Sequence, residues 1–389
     1  MIKLRVNYTF SMLQSLIAAL ALFSMFFGAG DLIWPLILGG ASGNSNPYAL
    51  LGLLITGVSL PLLGLIAMTL FQGRPMEFFG RIGKIPCPVL MFVIQAILGP
   101  LGSLPRIIAL SHSMLRPYLP AICNLTFFSI IFSVILFLFV LRRQKIISTL
   151  GIILTPLLLL CLCFLFIMGF SHPPQPISAG IPPLDAFTLG LRVGYNTLDL
   201  IASFFFAPLI LAHFSKEKNP KILFKRALQT SIISALLLSS MYFGLTHLAS
   251  LYTPYLPFHL PEERLREIAT LLIGSKGGVV ASLAIVLACL TTAIPLVAIF
   301  ADYIRNSVGK ENIGKVPSIL VVLSISAIIA NLGFTGIANM LSPILQILCP
   351  GLIVLSILNI LHKLYDMKTA KTPVYTAFFL SMLGYSFFL

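Results

Sequence analysis

The amino-acid sequence predicts an all-α polytopic membrane protein with eleven transmembrane helices. Of its 389 residues, 58% are apolar and only 9% are charged, whereas a soluble domain carries about 25% charged residues. Apolar runs of ~20 residues, the length that crosses the hydrocarbon core of a bilayer, recur along the whole chain. These observations exclude a soluble globular protein and favour a single membrane domain over residues 1–389.

Charged or Pro/Gly-rich breaks separate the apolar segments. The first segment is longer than the apolar region of a signal peptide, about 7 to 15 residues, so we expect it to remain as a membrane helix. The charged run 261–267 predicts a short, solvated surface helix that begins at Pro261, and 171–191 is a Pro-rich loop. The predicted segments are 9–38, 48–71, 87–115, 121–141, 146–170, 192–213, 227–251, 278–302, 317–332, 338–361 and 373–389.

Basic residues indicate how the chain is oriented. Lys and Arg number 25 against 11 Asp and Glu, a net charge of +14, which in a soluble protein would suggest nucleic acid as a partner. Here they lie in short loops, so we predict no nucleic-acid partner. With a cytoplasmic N-terminus, 19 of the 25 fall on the inside, and the positive-inside rule then predicts a C-terminus outside. The exceptions are Arg106 within a segment and, outside, Arg116, Arg192, Arg264, Arg266 and Lys276.

Asp31 and Asp199 are the acidic residues that lie deep within predicted spans. An ionisable group in a bilayer costs ~2.5 to 3.5 kcal/mol on the insertion scale, so it marks a pathway or a site. Asp31 lies in the run 27–35, FGAGDLIWP, where two glycines cost about 2 kcal/mol in a helix relative to alanine. Pro35 also removes the hydrogen bond to the Asp31 carbonyl. We therefore expect an interrupted helix that lines an ion or substrate site.

The sixth segment repeats this pattern around Asp199. The run 194–199, GYNTLD, again places small and polar residues beside one carboxylate, and Pro208 follows. The first segment runs from inside to outside and the sixth from outside to inside, and each heads a block of five. This arrangement is typical of inverted-topology repeats with a midplane site. The repeats are about 9–170 and 192–361, with an additional helix at 373–389.

Two further segments carry polar groups at membrane depth. In the eighth segment, the hydroxyls of the run 289–293, CLTTA, have the oxygen chemistry that binds a small cation, or they bond back to their own helix. The third segment contains GPLGSLPR at 99–106, a second broken helix with a buried cation. Arg106 needs an anionic or carbonyl partner there. Asp31, Asp199 and a substrate carboxylate are the alternatives.

The run 27–35 resembles FGAGNLIFP, a signature of the bacterial branched-chain amino-acid carriers, the BrnQ-type (LIVCS) family of the APC superfamily. The likeness covers nearly the whole chain, because four further matches occur in order at compatible spacing. These are Gly99-Pro100 with Pro105-Arg106, Gly194-Tyr195 with 197–199, the run 288–293, and 331–333 with Pro343 and Pro350.

The resemblance implies uptake of leucine, isoleucine and valine by symport with a cation, Na⁺ rather than H⁺, in the inner membrane of a bacterium. It also implies a LeuT-like five-plus-five inverted-repeat core and no cofactor besides the coupling ion. In that fold the broken first and sixth helices hold the substrate. The residues expected at its carboxylate, amine and side chain are Ala29, Gly30, Asp31, Thr197, Asp199 and Ser203.

A sodium site is also implied by the resemblance. Carbonyl oxygens from the first helix and hydroxyls from the eighth would provide its ligands, from Ser24, Phe27, Ala288, Thr291 and Thr292. Structural or gating roles fall to Gly28, Pro35 and Arg106.

Three departures from the family pattern affect these expectations. Asp31 replaces the family's Asn, which introduces a possible proton or cation carrier and leaves the coupling ion open between Na⁺ and H⁺. Ser113 stands where a Glu is expected shortly after Arg106. The family usually shows twelve helices where this sequence predicts eleven, although the ten-helix core is complete.

Other classes of function fit the sequence less well. A membrane-embedded serine protease would rest on the G-x-S-G run at 40–43, and no histidine is assigned to it as a base. A channel should show a repeated filter or rings of charge. Six cysteines without a C-x-x-C pair predict neither a metal site nor a disulfide framework. The expected partners are an apolar amino acid, with methionine as the runner-up substrate, the coupling cation and the lipid bilayer, with no obligatory protein partner.

Overall fold

A computed structural model describes most of the chain. It covers residues 2–141, 146–171, 173–174, 180–215, 217, 219–256, 260–308, 313–367 and 370–387. Every regular element in these ranges is helical, and they contain no strand. All six cysteines are free.

Eighteen α-helices follow one another along the described chain. Wide π-turns at Ile55–Ser59 and Leu150–Leu154 join α3 to α4 and α9 to α10, and a third follows α15 at Ile304–Val308. The helices are α1 Ile2–Phe26, α2 Ala29–Ser42, α3 Asn46–Leu54, α4 Leu60–Leu70, α5 Pro75–Gly80, α6 Pro86–Leu98, α7 Ser103–Leu115, α8 Leu125–Leu141, α9 Ile146–Thr149, α10 Thr155–Ser171, α11 Pro183–Tyr195, α12 Asp199–His213, α13 Pro220–Tyr252, α14 Arg264–Ile273, α15 Ser275–Tyr303, α16 Lys315–Ala330, α17 Gly333–Tyr365 and α18 Lys371–Phe387.

The prediction of a multi-pass helical membrane protein is confirmed. Six helical stretches of the described residues are long and apolar enough to cross a membrane, or seven if the bent pair α11 and α12 forms one span. Helices overlap all eleven predicted segments, but several are shorter than a span, so the count of eleven spans stays a prediction.

Three of the helices break where the sequence predicts a break. The first break lies at Phe27–Gly28 between α1 and α2, and Gly99–Gly102 separates α6 from α7. Between α11 and α12 the chain bends by 43°, and Leu198 adopts a left-handed φ of 75°. A non-glycine residue in this region is strained, and such strain is found most often at functional sites.

Two details of the prediction are corrected. Pro35 does not lie at the first break but inside α2, because the two glycines already interrupt the helix upstream of it. Helix α11 begins at Pro183, nine residues before the predicted segment, since proline is well suited to a first helical turn. The loop that precedes it is therefore shorter than 171–191.

The broken helix formed by α1 and α2 and the one formed by α11 and α12 each pack against helices of the other half of the chain. Helices α1 and α2 pack on α13, whereas α11 and α12 pack on α3 and α4. Glycines permit these close approaches: a Cβ on Gly39 would overlap the Thr246 carbonyl, and one on Gly52 would overlap the Phe187 carbonyl. Each half of the chain thus holds the broken helix of the other half at backbone contact distance.

Contacts between loops fall into two sets. In the first, Arg81 donates from Nη2 to the Met367 carbonyl at 2.8 Å. In the second, the Thr126 hydroxyl donates to Asn331 Oδ1 at 2.7 Å and the Ser45 hydroxyl donates to the Ile181 carbonyl at 2.6 Å. Each set joins loops that the predicted topology places on one side of the membrane.

The charged run 261–267 belongs to the second set. It forms a 3₁₀ turn at Pro261–Glu263 followed by α14, and Glu262 is only 7% exposed. Glu262 accepts a hydrogen bond from the Thr335 hydroxyl at 3.2 Å, and Arg264 Nη1 donates to the Leu36 carbonyl at 3.3 Å. The expectation of a solvated helix is therefore wrong, because the turn packs against α2 and α7 and accepts a hydrogen bond from α17.

Candidate functional site

The first helix break presents backbone donors and one carboxylate at the start of α2. Asp31 is 1% exposed and accepts a hydrogen bond at Oδ2 from the Gly28 backbone N–H at 3.0 Å. The first N–H groups of a helix have no partner within the helix, and the helix dipole favours negative charge there. Ala29 and Gly30 occupy this first turn and line a cavity, so their amides form an anion-binding position.

The second break presents another buried carboxylate at the start of α12. Asp199 is 2% exposed and lies directly after the strained Leu198. The Thr197 hydroxyl donates to the Gly194 carbonyl at 3.0 Å and accepts from the Asp199 N–H at 3.4 Å. A buried carboxylate is therefore held in place by the local turn.

Both breaks open onto one narrow cavity of about 20 Å³. This volume is sufficient for about one water molecule, so a larger ligand requires the walls to move. Five of the six predicted substrate residues line it: Ala29, Gly30, Asp31, Thr197 and Asp199. The remaining walls are largely apolar, from Met25, Phe26, Leu98, Ala202, Phe206 and Leu296.

Arg106 reaches the same cavity from α7. It is 2% exposed, and both Nη1 and Nη2 donate to the Asn196 carbonyl at 3.2 Å. Its guanidinium lies 5.1 Å from the centre of the Phe334 ring and interacts electrostatically with both Asp31 and Asp199. The direct hydrogen-bond partner is thus a carbonyl at the second helix break, which is not one of the three alternatives that the sequence left open.

Two of the five predicted cation ligands, Ser24 and Thr292, are in contact where α1 ends against α15. The Thr292 hydroxyl crosses between helices and donates to the Ser24 carbonyl at 3.1 Å. Thr291 instead donates to the Ala288 carbonyl within its own helix at 2.9 Å. Phe27 is fully buried at the break. Thr292 also lies against Gly28, whose Cβ position is 2.8 Å from the Thr292 hydroxyl oxygen.

Six predicted site residues do not line the cavity: Ser203, Pro35 and the cation ligands Ser24, Phe27, Ala288 and Thr291. The Ser203 hydroxyl donates to the Leu200 carbonyl at 2.6 Å and contacts Gly64 of α4, one helical turn beyond Asp199. Pro35 is buried farther along α2. Gly28 and Arg106 both line the cavity.

Tyr242 on α13 is a central residue that the sequence analysis missed. Its side chain is fully buried, and its hydroxyl contacts both carboxylates, Asp31 at Oδ1 and Asp199 at Oδ2, the latter at 3.1 Å. The signal that could have revealed it is a single phenol in the middle of an apolar span. Buried tyrosine hydroxyls usually find a polar partner, and the two acidic groups at this depth are the obvious ones.

The weaker motifs of the sequence have local partners. Ser42 of the G-x-S-G run is buried and donates to the Gly39 carbonyl at 3.2 Å. No group of three or more His, Cys, Asp or Glu side chains in the described part of the chain is arranged to hold a metal ion.

Comparison with known proteins gives consistent similarities. A family model described as branched-chain amino acid transport protein matches residues 11–385. The branched-chain amino acid permease BrnQ of Lactobacillus delbrueckii subsp. lactis is 32% identical over 95% of this chain and 86% of its own length. A putative branched-chain amino acid carrier protein of Staphylococcus aureus (strain MRSA252) is 30% identical over 93% of this chain and 86% of its own.

One solved structure shows a similar fold. It is Mhp1, a nucleobase-cation-symport-1 family transporter, in a closed conformation with bromovinylhydantoin bound. The TM-score is 0.63, over 95% of this chain and 91% of Mhp1. Sequence identity is 12%, so this comparison concerns the fold alone.

Proposed function

This chain belongs to the branched-chain amino acid transport protein family, and from that membership we propose that it imports leucine, isoleucine and valine by symport with a cation, Na⁺ in preference to H⁺. Its relatives are transport proteins, so its task is amino-acid transport and not an enzymatic reaction. The chain itself is a multi-pass membrane protein.

One observation carries the proposal: two helix breaks, one in each half of the chain, face a single cavity that combines backbone amides and a guanidinium with buried carboxylates. Amides at the start of α2 and the Arg106 guanidinium suit the carboxylate of an amino acid. Asp199 suits its ammonium group. Phe26, Phe206 and Leu296 provide the apolar wall for the side chain, which is the composition expected of a site for a small apolar ligand.

The cation is proposed to bind between α1 and α15. The last carbonyls of a helix lack partners within the helix, and α1 ends beside the hydroxyl of Thr292. Carbonyl and hydroxyl oxygens are the ligands that hard cations prefer. Ser24 and Thr292 form the part of this set that already lies together. Ala288 and Thr291 lie on α15, and Phe27 directly follows the last residue of α1.

The finer architecture is also proposed. We expect eleven spans with a five-plus-five inverted-repeat core, a cytoplasmic N-terminus, an external C-terminus, and residence in the inner membrane of a bacterium. The reciprocal packing of α1 and α2 on α13, and of α11 and α12 on α3 and α4, supports the repeat. The two sets of loop contacts support a topology in which successive loops alternate between the two sides of the membrane.

The test is uptake of labelled leucine by vesicles that contain the purified protein, with an imposed sodium or proton gradient. An inward sodium gradient should drive leucine above equilibrium, and a proton gradient alone should do so less. Equal salt on both sides is the control and should give equilibration only. Labelled methionine is the second substrate, because an apolar pocket separates such side chains by only ~1 to 3 kcal/mol. Accumulation of methionine without leucine would contradict the proposed substrate.

A further inference from the structure

The Tyr242 hydroxyl joins two carboxyl groups that come from opposite halves of the chain. It contacts Oδ1 of Asp31 and, at 3.1 Å, Oδ2 of Asp199. Two O–H···O bonds to one oxygen place the carboxyl oxygens within about 6 Å of each other. The three side chains are nearly or fully inaccessible to solvent, so bulk water does not supply their hydrogen bonds.

The number of available protons limits how these bonds can form. A tyrosine hydroxyl has one proton to donate, and an ionised carboxylate can only accept. Asp31 already accepts a hydrogen bond from the Gly28 N–H. If both carboxylates were ionised, one of them would face the phenol oxygen without a proton between the two oxygens. Both contacts are hydrogen bonds when the carboxyl pair carries one proton.

The charges around the two carboxyl groups also indicate that the pair carries one proton. The titratable or charged groups that interact with it are Tyr242 of α13 and Arg106 of α7. From α1 and α15 the cavity receives only uncharged groups, including the Thr292 hydroxyl, and Phe334 of α17 covers Arg106 with an aromatic ring. Arg106 balances one carboxylate. A second ionised carboxylate would leave an uncompensated negative charge in the protein interior, which is costly.

We infer that Asp31, Tyr242 and Asp199 form a proton-binding site that holds one proton and releases it when a cationic group binds at the carboxyl pair. The cationic group is either the ammonium group of the amino acid or the coupling cation, because each supplies the positive charge that the proton otherwise provides. An ammonium group has three N–H donors and can satisfy both carboxylates at once. This second step rests on the proposed function, whereas the bound proton does not.

The proton balance of the release is simple. The O–H bond of one carboxyl breaks, the basic form of a buffer in the solvent accepts the proton, and the carboxylate that remains pairs with the incoming cationic group. No oxidant, reductant or further reactant takes part. If the cationic group is the coupling cation, the empty and the occupied site differ by that cation exchanged for one proton. If it is the ammonium group, the carboxylate of the amino acid enters with it and is held by the amides at the start of α2. The empty site keeps its proton and therefore reorients without an unbalanced buried charge.

The bound proton is tested first, on purified protein without substrate. Infrared spectra near neutral pH should show the C=O stretching band of a protonated carboxyl. The band should disappear in Asp31→Asn, because Arg106 then balances the single remaining carboxylate. It should persist at a shifted frequency in Tyr242→Phe, which keeps the ring and removes only the hydroxyl. Asp302→Asn, at the end of α15, is the matched control and should leave the band unchanged.

The release is tested by calorimetric titration in buffers of different ionisation enthalpy, with leucine alone, sodium alone, and leucine in the presence of sodium. We expect about one proton to be released per protein in total, and the arm that releases it identifies the cationic group. Because the proton competes with that group, the apparent affinity should fall up to tenfold per pH unit on acidification. Asp302→Asn should release the same number of protons as the unmodified protein.

The two tests separate the inference from the proposed function. Absence of the infrared band in the unmodified protein, or its persistence in Asp31→Asn, overturns the proton site whatever the substrate is. The absence of proton release in all three arms, or proton uptake in any of them, overturns the exchange but leaves branched-chain amino-acid transport intact. An unchanged band frequency in Tyr242→Phe removes the tyrosine from the site. If the band is present as described but leucine does not bind, the substrate proposal fails and the proton site stands.

Discussion

Asp31 and Asp199 contact the same tyrosine hydroxyl but have different expected roles. Asp199 matches the family pattern and faces the cavity from the strained turn of α12, so Asp199→Asn should abolish leucine uptake by removing the partner of the ammonium group. Uptake and membrane abundance are measured together, so that loss of transport is distinguished from loss of protein. Full activity in a normally abundant Asp199→Asn would contradict this role.

Asp31 replaces an asparagine of the family signature, so we predict that Asp31→Asn retains transport. The amide still fills the space beside Tyr242, while the extra negative charge and its proton are lost. Leucine uptake measured between about pH 5 and 8 should therefore decline on acidification in the unmodified protein and stay nearly flat in the variant. Complete loss of uptake in an abundant Asp31→Asn would show that the carboxylate itself is needed for binding.

Thr292 is the predicted cation ligand whose hydroxyl bridges two helices. Thr292→Ala removes one oxygen from this set and keeps a small side chain, so the sodium concentration for half-maximal uptake should rise several-fold with little change in protein abundance. Thr69→Ala is the matched control, because the Thr69 hydroxyl bonds only to its own helix at Leu65. Equal sodium responses in both variants would assign Thr292 to ordinary packing.

Residue types reveal only some of the site. Asp31, Asp199 and Arg106 could be predicted because a charge in an apolar segment is costly and conspicuous. Tyr242 is conspicuous only as a phenol within an apolar span, and choosing it from eleven tyrosines with certainty requires the knowledge that α13 passes both breaks. The Asn196 carbonyl that receives Arg106 is a backbone group, and its exposure depends on the local turn and not on the side chain.

The two broken helices must approach closely for their termini to share one cavity. A Cβ on Gly30 would lie 3.0 Å from Arg106 Nη2 and 3.1 Å from both the Cα atom and the carbonyl oxygen of Thr197. The backbone of Thr197 cannot rotate away as a flexible side chain can. We therefore predict that Gly30→Ala lowers leucine uptake at least tenfold by pushing α2 from α12.

Gly80→Ala is the control for this prediction, because a Cβ on Gly80 would meet nothing within 4 Å. It should transport like the unmodified protein. Thermal unfolding of both variants in detergent is measured alongside, and similar unfolding temperatures would show that the lost uptake comes from the site. Normal uptake in Gly30→Ala would mean that the two helix ends separate during transport without passing through this contact.

Helix breaks were easier to predict than helix ends. The glycines and prolines of the runs 27–35 and 99–106 interrupt a helix through their own backbone chemistry. The start of α11 at Pro183 could not be predicted from composition, because the same prolines that open a helix also typify a loop. Nor does hydropathy reveal the π-turn at Ile55–Ser59, which depends on how α3 and α4 pack against α11 and α12.

The orientation of the whole molecule can be tested by labelling single cysteines introduced on a background that lacks the native ones. The sequence alone suggests Ser45, His172 and Ser275 for the outside and Lys145, Lys218 and Lys368 for the inside. Ser45 is buried, and His172, Lys145, Lys218 and Lys368 lie outside the described residues. The better positions are Asn44 and Ser275 outside and Lys84, Lys221 and Lys371 inside, all of them exposed.

Labels at Asn44 and Ser275 should react with an impermeant reagent in intact cells. Labels at Lys84, Lys221 and Lys371 should react only after the membrane is permeabilised. The reason is the 19-to-5 bias of basic residues between the two sides. The inverse labelling pattern would reverse the orientation, and a mixed pattern would also contradict the alternation of spans on which the inverted repeat depends.

Composition alone was sufficient for the class of the molecule, since 58% apolar residues can only be accommodated in a bilayer. The charged turn at Pro261–Glu263 could not be placed, because its burial depends on Thr335 of α17, more than seventy positions away along the chain. Long-range contacts of this kind depend on tertiary packing, which hydropathy does not report.

The small volume of the central cavity also bears on electrical leakage. An ion that crossed the protein without an amino acid would dissipate the free energy stored in the membrane potential, about 2.3 kcal/mol per elementary charge for every 100 mV. A space of about 20 Å³ obliges such an ion to shed nearly its whole hydration shell before it enters. Close packing of Phe26, Phe206 and Leu296 around the cavity therefore blocks the passage of ions. An ionic current crosses this protein only when the walls of the cavity move.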